Sequence, residues 1–285
     1  HFVWHKWAHL APDAGTPGWA YYAGTHLNRN VTWWPKARAF IDYLSRGSFL
    51  LQQGNFVGDV LYYYGDGGSN FVKARRNPPS LGPGYDYDVT NADIILNRLQ
   101  VRDGRLALPE GTAYTVLVLP EREDIHPAVL DRIATLVSAG ATVIGPRPTR
   151  ASGLEGFPKS DARVGDLAAR LWGDLDGKSR TSRKHGAGRV VFGRSERSVL
   201  EEMGIGPDFV AAPALDFTHR RDGSIEIYFV RNREDAPIAG NVIFRDGSGD
   251  PELWDPVSGA ITPASAFRRV GRGVCRSDIY GSWRE

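Results

Sequence analysis

The densest gathering of hydrogen-bonding and aromatic side chains lies at the start of the chain, where His5, Lys6, Trp7 and His9 follow an apolar Phe2-Val3-Trp4 run. Two further stretches continue it: Gly24-Thr25-His26-Leu27-Asn28-Arg29 and Thr32-Trp33-Trp34-Pro35. Recognition of a sugar needs this mixture. Aromatic faces pack on the apolar C–H patches of a pyranose, while His, Asn and Arg meet its hydroxyls with fixed direction. A second reading places the tryptophans in a core or interface and leaves the histidines to cap loops. Side-chain types alone do not separate the two. His5 and His9 stand one helical turn apart and would suit a metal only on a helix, which the preceding strand and Pro12 oppose.

Other stretches carry less. Asp86 and Asp88 flank Tyr87, and in an extended segment both would point to one face, closer than an acid and a base across a glycosidic bond. They read as a turn or interdomain hydrogen bonds, with a sugar-hydroxyl clamp as the rival. Gly186 and Gly188 precede Val190 without a Gly-Lys-Ser/Thr or three spaced glycines, so they read as a turn. Ser138, Ser195 and Ser198 lack the glycines of a nucleophile elbow. Cys275 is the single cysteine, which excludes an internal disulfide and a cysteine-based metal cluster and reads as a buried thiol.

The order of these motifs resembles glycoside hydrolase family 106, the α-L-rhamnosidases. Phe2-Val3-Trp4-His5-Lys6-Trp7-Ala8-His9 is similar to a strand-end segment of that family, and Gly24 to Arg29 with Thr32-Trp33-Trp34 is similar to one of its loops. Leu50-Leu51-Gln52-Gln53-Gly54, Asp59-Val60-Leu61-Tyr62, Gly84-Tyr85-Asp86-Tyr87-Asp88 with Asn91-Ala92, and Pro251-Glu252-Leu253-Trp254-Asp255-Pro256 follow in the same order. The chain departs at Leu10-Ala11, where the family has Gln-Pro, and at Asp66, where it has Glu. The resemblance implies inverting hydrolysis of terminal α-L-rhamnosyl linkages by two carboxylates, both expected upstream of His1. It also implies calcium, for which no ligand spacing stands out. The residues expected to touch the sugar are His5, Trp7, His9, His26, Asn28, Arg29, Trp33 and Trp34, with no catalytic residue among them. Rhamnose-containing glycosides or polysaccharides are the expected partners, and a periplasmic or extracellular site the expected location. Rival readings are a non-catalytic carbohydrate-binding protein and a β-galactosidase-like enzyme.

Three regions must position these groups. Residues 1–69 read as strand, long loop, helix from about Pro35 to Gly54, and strand from Val57 to Tyr64; the family resemblance implies that they are the end of a (β/α)8 barrel. Residues 70–212 alternate strand and helix: Tyr114 to Leu119, Pro127 to Ala139, Ala141 to Ile144, Arg189 to Phe192, Ser195 to Met203. That is a flavodoxin-like (amidotransferase-like) doubly wound α/β domain. Residues 213–285 change to strands at Ser224 to Val230, Asn241 to Phe244 and Glu252 to Trp254, the start of a β-sandwich with little strand pattern after Gly271. There is no internal repeat.

With 285 residues, the chain has room for about two domains. Its 35 basic and 33 acidic residues leave +2, without a like-charged block of the kind nucleic acid would need. The basic stretch Lys178 to Lys184 lies among Gly and Ser and reads as a solvated loop. No apolar run is long enough to span a membrane. The opening His1 suggests a fragment of a longer protein, inactive by itself, with any signal segment outside it.

Overall fold

A computed structural model describes residues 32–67, 81–211, 215–247, 249–270 and 273–276. Contacts divide the chain into two compact units, His1–Gly54 with Ser248–Ala266, and Asn55–Gly247 with Phe267–Glu285.

In the first unit, a short 3-10 turn at Trp34–Lys36 opens onto helix α1, Ala37–Leu50. Pro35 suits that first turn, where its missing N–H costs nothing, and Gly54 takes φ +52 soon after the helix ends. An antiparallel hairpin, Glu252–Trp254 with Ile261–Pro263, belongs to this unit. The Arg46 guanidinium of α1 donates to the carbonyls of Pro256 (3.0 Å) and Val257 (2.8 Å), tying the hairpin's turn to the helix.

The second unit is built on a six-stranded sheet. In chain order its strands are β1 Val60–Tyr63, β2 Tyr87–Thr90, β3 Val116–Val118, β4 Thr142–Ile144, β5 Ser182–His185 and β6 Gly188–Val191. Their spatial order is β5-β6-β4-β3-β1-β2, parallel throughout except for β5, which turns back antiparallel on β6. The parallel strands thus lie in the order 2-1-3-4-6, the doubly wound arrangement.

A parallel sheet is covered on both faces, so its strands carry apolar residues without a break. Leu61, Leu117, Val143 and Val190 face α2 Ala92–Asn97, α3 Pro127–Ser138 and α4 Lys159–Trp172. Val60, Val116, Ile144 and Val191 face the other way, toward Val199 and Leu200 of α5 Glu196–Glu202. Three helix starts are set by local chemistry: Asn91, His126 and Ser195 accept from backbone amides of α2, α3 and α5 respectively. Trp172 is wholly buried at the end of α4, and its indole N–H donates to Gly145 O at 3.0 Å, just past β4.

Two smaller sheets complete this unit. Asn55–Phe56, β7 Leu215–Asp222 and β8 Ile225–Asn232 form one; Phe209–Val210, Val242–Phe244, Gly273–Arg276 and Arg268–Val270 form the other. They meet through aromatic rings, with Phe209 5.0 Å from Phe217 and Tyr228 4.7 Å from Phe244 between centroids.

Several sequence expectations shift. The strand expected within Val57 to Tyr64 is β1, near the middle of the six-stranded sheet, because its residues are apolar on both faces. It lies with the doubly wound unit, not with residues before Gly54. Glu252–Trp254 pairs within its own hairpin and falls in the first unit. Strand Gly273–Arg276 lies beyond Gly271, where little pattern was expected, and carries Cys275. The latter half of the basic stretch is β5, an exposed edge strand. The barrel strand expected at Phe2 to Trp4 lies outside the described residues.

Replacing Trp172 by Ala should lower stability by about 3–5 kcal/mol, since it empties a buried aromatic site and orphans Gly145 O. Urea unfolding of the variant beside the wild type measures this directly.

Candidate functional site

Of the residues expected to touch a sugar, His5, Trp7, His9, His26, Asn28 and Arg29 lie outside the described residues. Trp33 and Trp34 are described. The Trp33 ring meets Phe40 of α1 edge-on at 6.0 Å, and Trp34 is 38% exposed. Asp86 and Asp88 take structural roles: Asp86 is buried and accepts from Tyr87 N, while Asp88 accepts from the Tyr114 hydroxyl at 2.7 Å. Gly186 takes φ +61 in the turn between β5 and β6, as a hairpin there requires.

Two polar assemblies stand out in the second unit. The first is a cleft of about 520 Å³ beyond the carboxyl ends of the parallel strands. Four successive connections line it: Asp66 follows β1, Ala92 and Leu96 lie on α2 after β2, Asp124, His126 and Val129 follow β3, and Ser152 follows β4. Asp66 is fastened from two sides, accepting from the Tyr63 hydroxyl and from His126 N at 2.7 Å. Burial, with Asp66 beside it, keeps the Tyr63 hydroxyl protonated well above the usual tyrosine range. Asp124 is held in the Arg122 fork, each carboxylate oxygen 3.1 Å from a guanidinium nitrogen, and that hydrogen bonding lowers its pKa. His126 Nδ1 accepts from Ala128 N at 3.2 Å, so the neutral ring carries its proton on Nε2.

The second assembly is buried and ionic. His219 on β7 has no exposed surface and sits between Asp208 Oδ2 at Nδ1 and Glu226 Oε2 at Nε2, both 2.8 Å away. Tyr228 on β8 stacks on its ring at 3.8 Å and donates its hydroxyl to Asp208 Oδ1. Arg221 joins Glu226 to Asp246, and Arg245 reaches Asp59 Oδ2 at 2.9 Å and Gly206 O at 2.9 Å. The network therefore bolts the two small sheets to the head of β1. Burial alone would lower the His219 pKa, yet its two carboxylate hydrogen bonds prevail and raise it. Burial opposes Glu226 ionisation, but His219 and Arg221 hold its pKa below the ordinary value. Burial raises Asp59 against the pull of Arg245.

Sequence reading passed over both assemblies. One signal was present for the cleft: Asp124-Ile125-His126-Pro127 places two polar groups between a continuous apolar strand and a proline-started helix, where α/β sheets hold ligands. For the network there was none, since its members are scattered from Asp59 to Asp246.

Comparison with known proteins agrees with the motif order. Residues 1–268 match glycoside hydrolase family 106, described as alpha-L-rhamnosidase. The chain belongs to this family. It is similar to a rhamnosidase structure from Novosphingobium sp. PP1Y, with TM-score 0.78 and 31% identity, covering 94% of this chain and 26% of that one. It is also 34% identical over 274 residues to a protein of Formosa agariphila provisionally named a beta-glucuronidase, covering 96% of this chain and 22% of that protein. The family 106 chain thus spans about a quarter of the length of these relatives. Among the described residues of this family member, no three His, Cys, Asp or Glu side chains are grouped to hold a metal, so the calcium implied by resemblance has no ligand set there. No described helix is long and apolar enough to cross a membrane.

The network makes stability depend on pH from both sides. His219 has a folded pKa above its unfolded value of 6.5, so its contribution is full below that value and is lost as pH rises through the raised folded one. Glu226 has a folded pKa below 4.5, so its contribution is full above that value and is lost as pH falls through the depressed one. His219→Leu strands Asp208 and Glu226 without their partner and should cost about 3–5 kcal/mol near neutrality. Urea unfolding across the pH range should show the alkaline loss in the wild type and its disappearance in the variant.

Proposed function

We propose that the protein containing this chain hydrolyses terminal α-L-rhamnosyl linkages with inversion. One carboxylic acid protonates the leaving oxygen while a second carboxylate activates water on the opposite face of the ring. The family match over residues 1–268 is the observation that carries the reading, supported by the likeness to the Novosphingobium rhamnosidase. In this reading the acid and base come from outside the chain. His5, Trp7, His9, His26, Asn28, Arg29, Trp33 and Trp34 orient the sugar through hydroxyl hydrogen bonds and ring stacking. The partial exposure of Trp34 is compatible with a stacking face. Calcium and a periplasmic or extracellular location remain part of the proposal by family resemblance. The name of the Formosa agariphila relative supports a second reading, a β-glucuronide as substrate for the same machinery.

Hydrolysis of 4-nitrophenyl α-L-rhamnopyranoside by the longest protein carrying this chain tests the reading, with the β-D-glucuronide in a parallel assay. Turnover of the rhamnoside, with proton NMR showing the opposite anomer released first, is expected. Turnover of the glucuronide alone would replace rhamnose as the substrate, and silence on both would remove the glycosidase reading. His5→Ala or His26→Ala should lower kcat/KM by about tenfold each, the loss of one hydrogen bond to bound sugar. Unchanged constants would take these residues out of the site.

A further inference from the structure

The doubly wound sheet has one place where the chain leaves neighbouring strands in opposite directions. From β1 it winds to β2 on one side, and from β3 it winds to β4 on the other. In open parallel sheets, the crevice outside the carboxyl ends of the strands at such a point is where ligands bind. The cleft bordered by Asp66 and Asp124 is in this position, and about 520 Å³ is room enough for a small ligand.

Its chemistry narrows the ligand. Phosphate and nucleotides bound at such sites use the free amides of a helix N-terminus. Here that end is closed, because α3 begins with Pro127, which has no N–H, and Ala128 N–H is already given to His126. Two carboxylates further oppose an anion, with the Arg122 guanidinium already forked onto one of them. A divalent cation lacks a three-ligand grouping among the described residues. What the cleft does offer is acceptors in fixed directions. Asp66 accepts one hydrogen bond at each oxygen, and Asp124 accepts from both Arg122 nitrogens and from its own backbone amide; with about four acceptor sites on a carboxylate, each retains acceptor capacity. The Nε2–H of His126 supplies a donor, and Ala92, Leu96 and Val129 supply an apolar wall.

Neutral vicinal hydroxyls answer those acceptors, a ring or ether oxygen answers the donor, and a C–H face answers the wall. We infer that this cleft binds one ring of a neutral sugar, its hydroxyls held by Asp66 and Asp124. The preference for a sugar over other neutral polyols rests on the glycosidase reading. Assignment of the cleft itself rests on its geometry. Such a site would hold a carbohydrate chain by a second ring, adding avidity without chemistry of its own.

Titration of the 15N-labelled chain tests this, with methyl α-L-rhamnopyranoside, methyl β-D-galactopyranoside, myo-inositol, sodium phosphate and sodium D-glucuronate as probes. One of the glycosides should give saturable shifts at the amides of Asp66, Gly67, Asp124 and Ser152, with Kd in about the millimolar range of a single ring. Phosphate and glucuronate should leave those amides unmoved. Asp124→Asn should weaken glycoside binding about tenfold while the rest of the spectrum stays superimposable, which shows that the fold is intact. Absence of shifts with both glycosides, equal binding by phosphate, binding of inositol as tight as that of either glycoside, or an unchanged Kd in Asp124→Asn would each overturn the assignment. The hydrolysis assay reads a different property, so failure here with rhamnoside turnover retained removes the cleft site alone.

Discussion

Burial of a parallel sheet on both faces is the constraint from which the rest of the second unit follows. Backbone pairing leaves each strand with two faces to cover, so Val60 and Leu61, Val116 and Leu117, and Val143 and Ile144 must all be apolar. Helices are then required on both sides, and parallel strands can be joined only by crossing the sheet's length each time. Every crossover helix therefore begins near the same edge. The loops that run into those helices collect there, and with them Asp66, Asp124, His126 and Ser152, which are distant in sequence.

The buried ionic cluster has a different logic. His219, Asp208 and Glu226 are removed from water at considerable cost, and apolar residues of the same shape could hold two sheets together as well. Charged partners accept only one arrangement, however, whereas apolar faces slide. Arg245 spans from the loop after Phe244 to Asp59 at the head of β1, so the register of the small sheets against the large one is specified by hydrogen bonds with directions. The aromatic contacts of Phe209, Phe217, Tyr228 and Phe244 supply the adhesion, and the ions supply the alignment.

How much of this could be read in the residues depends on how local each signal is. Helices α1 and α3 and strands β3 and β4 lie within the expected spans, because periodicity, a first-turn proline and a stop glycine act over a few neighbours. Helix α4 was not anticipated, although Val164, Leu167, Ala168 and Leu171 carry its apolar stripe. Strand β1 was recognised as a strand and given the wrong neighbours, since pairing partners are set by topology rather than by the strand itself. The family could be recognised from motif order. The cleft and the ionic cluster could not, being made of residues that only the folded sheet brings together.

The antiparallel strand β5 gives the open end of the sheet an unusual border. Any unpaired strand offers its amides and carbonyls to a passing chain, which is how sheets recruit one another into aggregates. Among the described residues the outermost strand on this side reads Ser182-Arg183-Lys184-His185 and is mostly exposed. A second copy approaching edge to edge would have to bring its own Arg183 and Lys184 against these, and antiparallel addition would bury like charges opposite each other. The cationic stretch acts as a fender: it leaves the sheet open at that side, yet unattractive to its own kind.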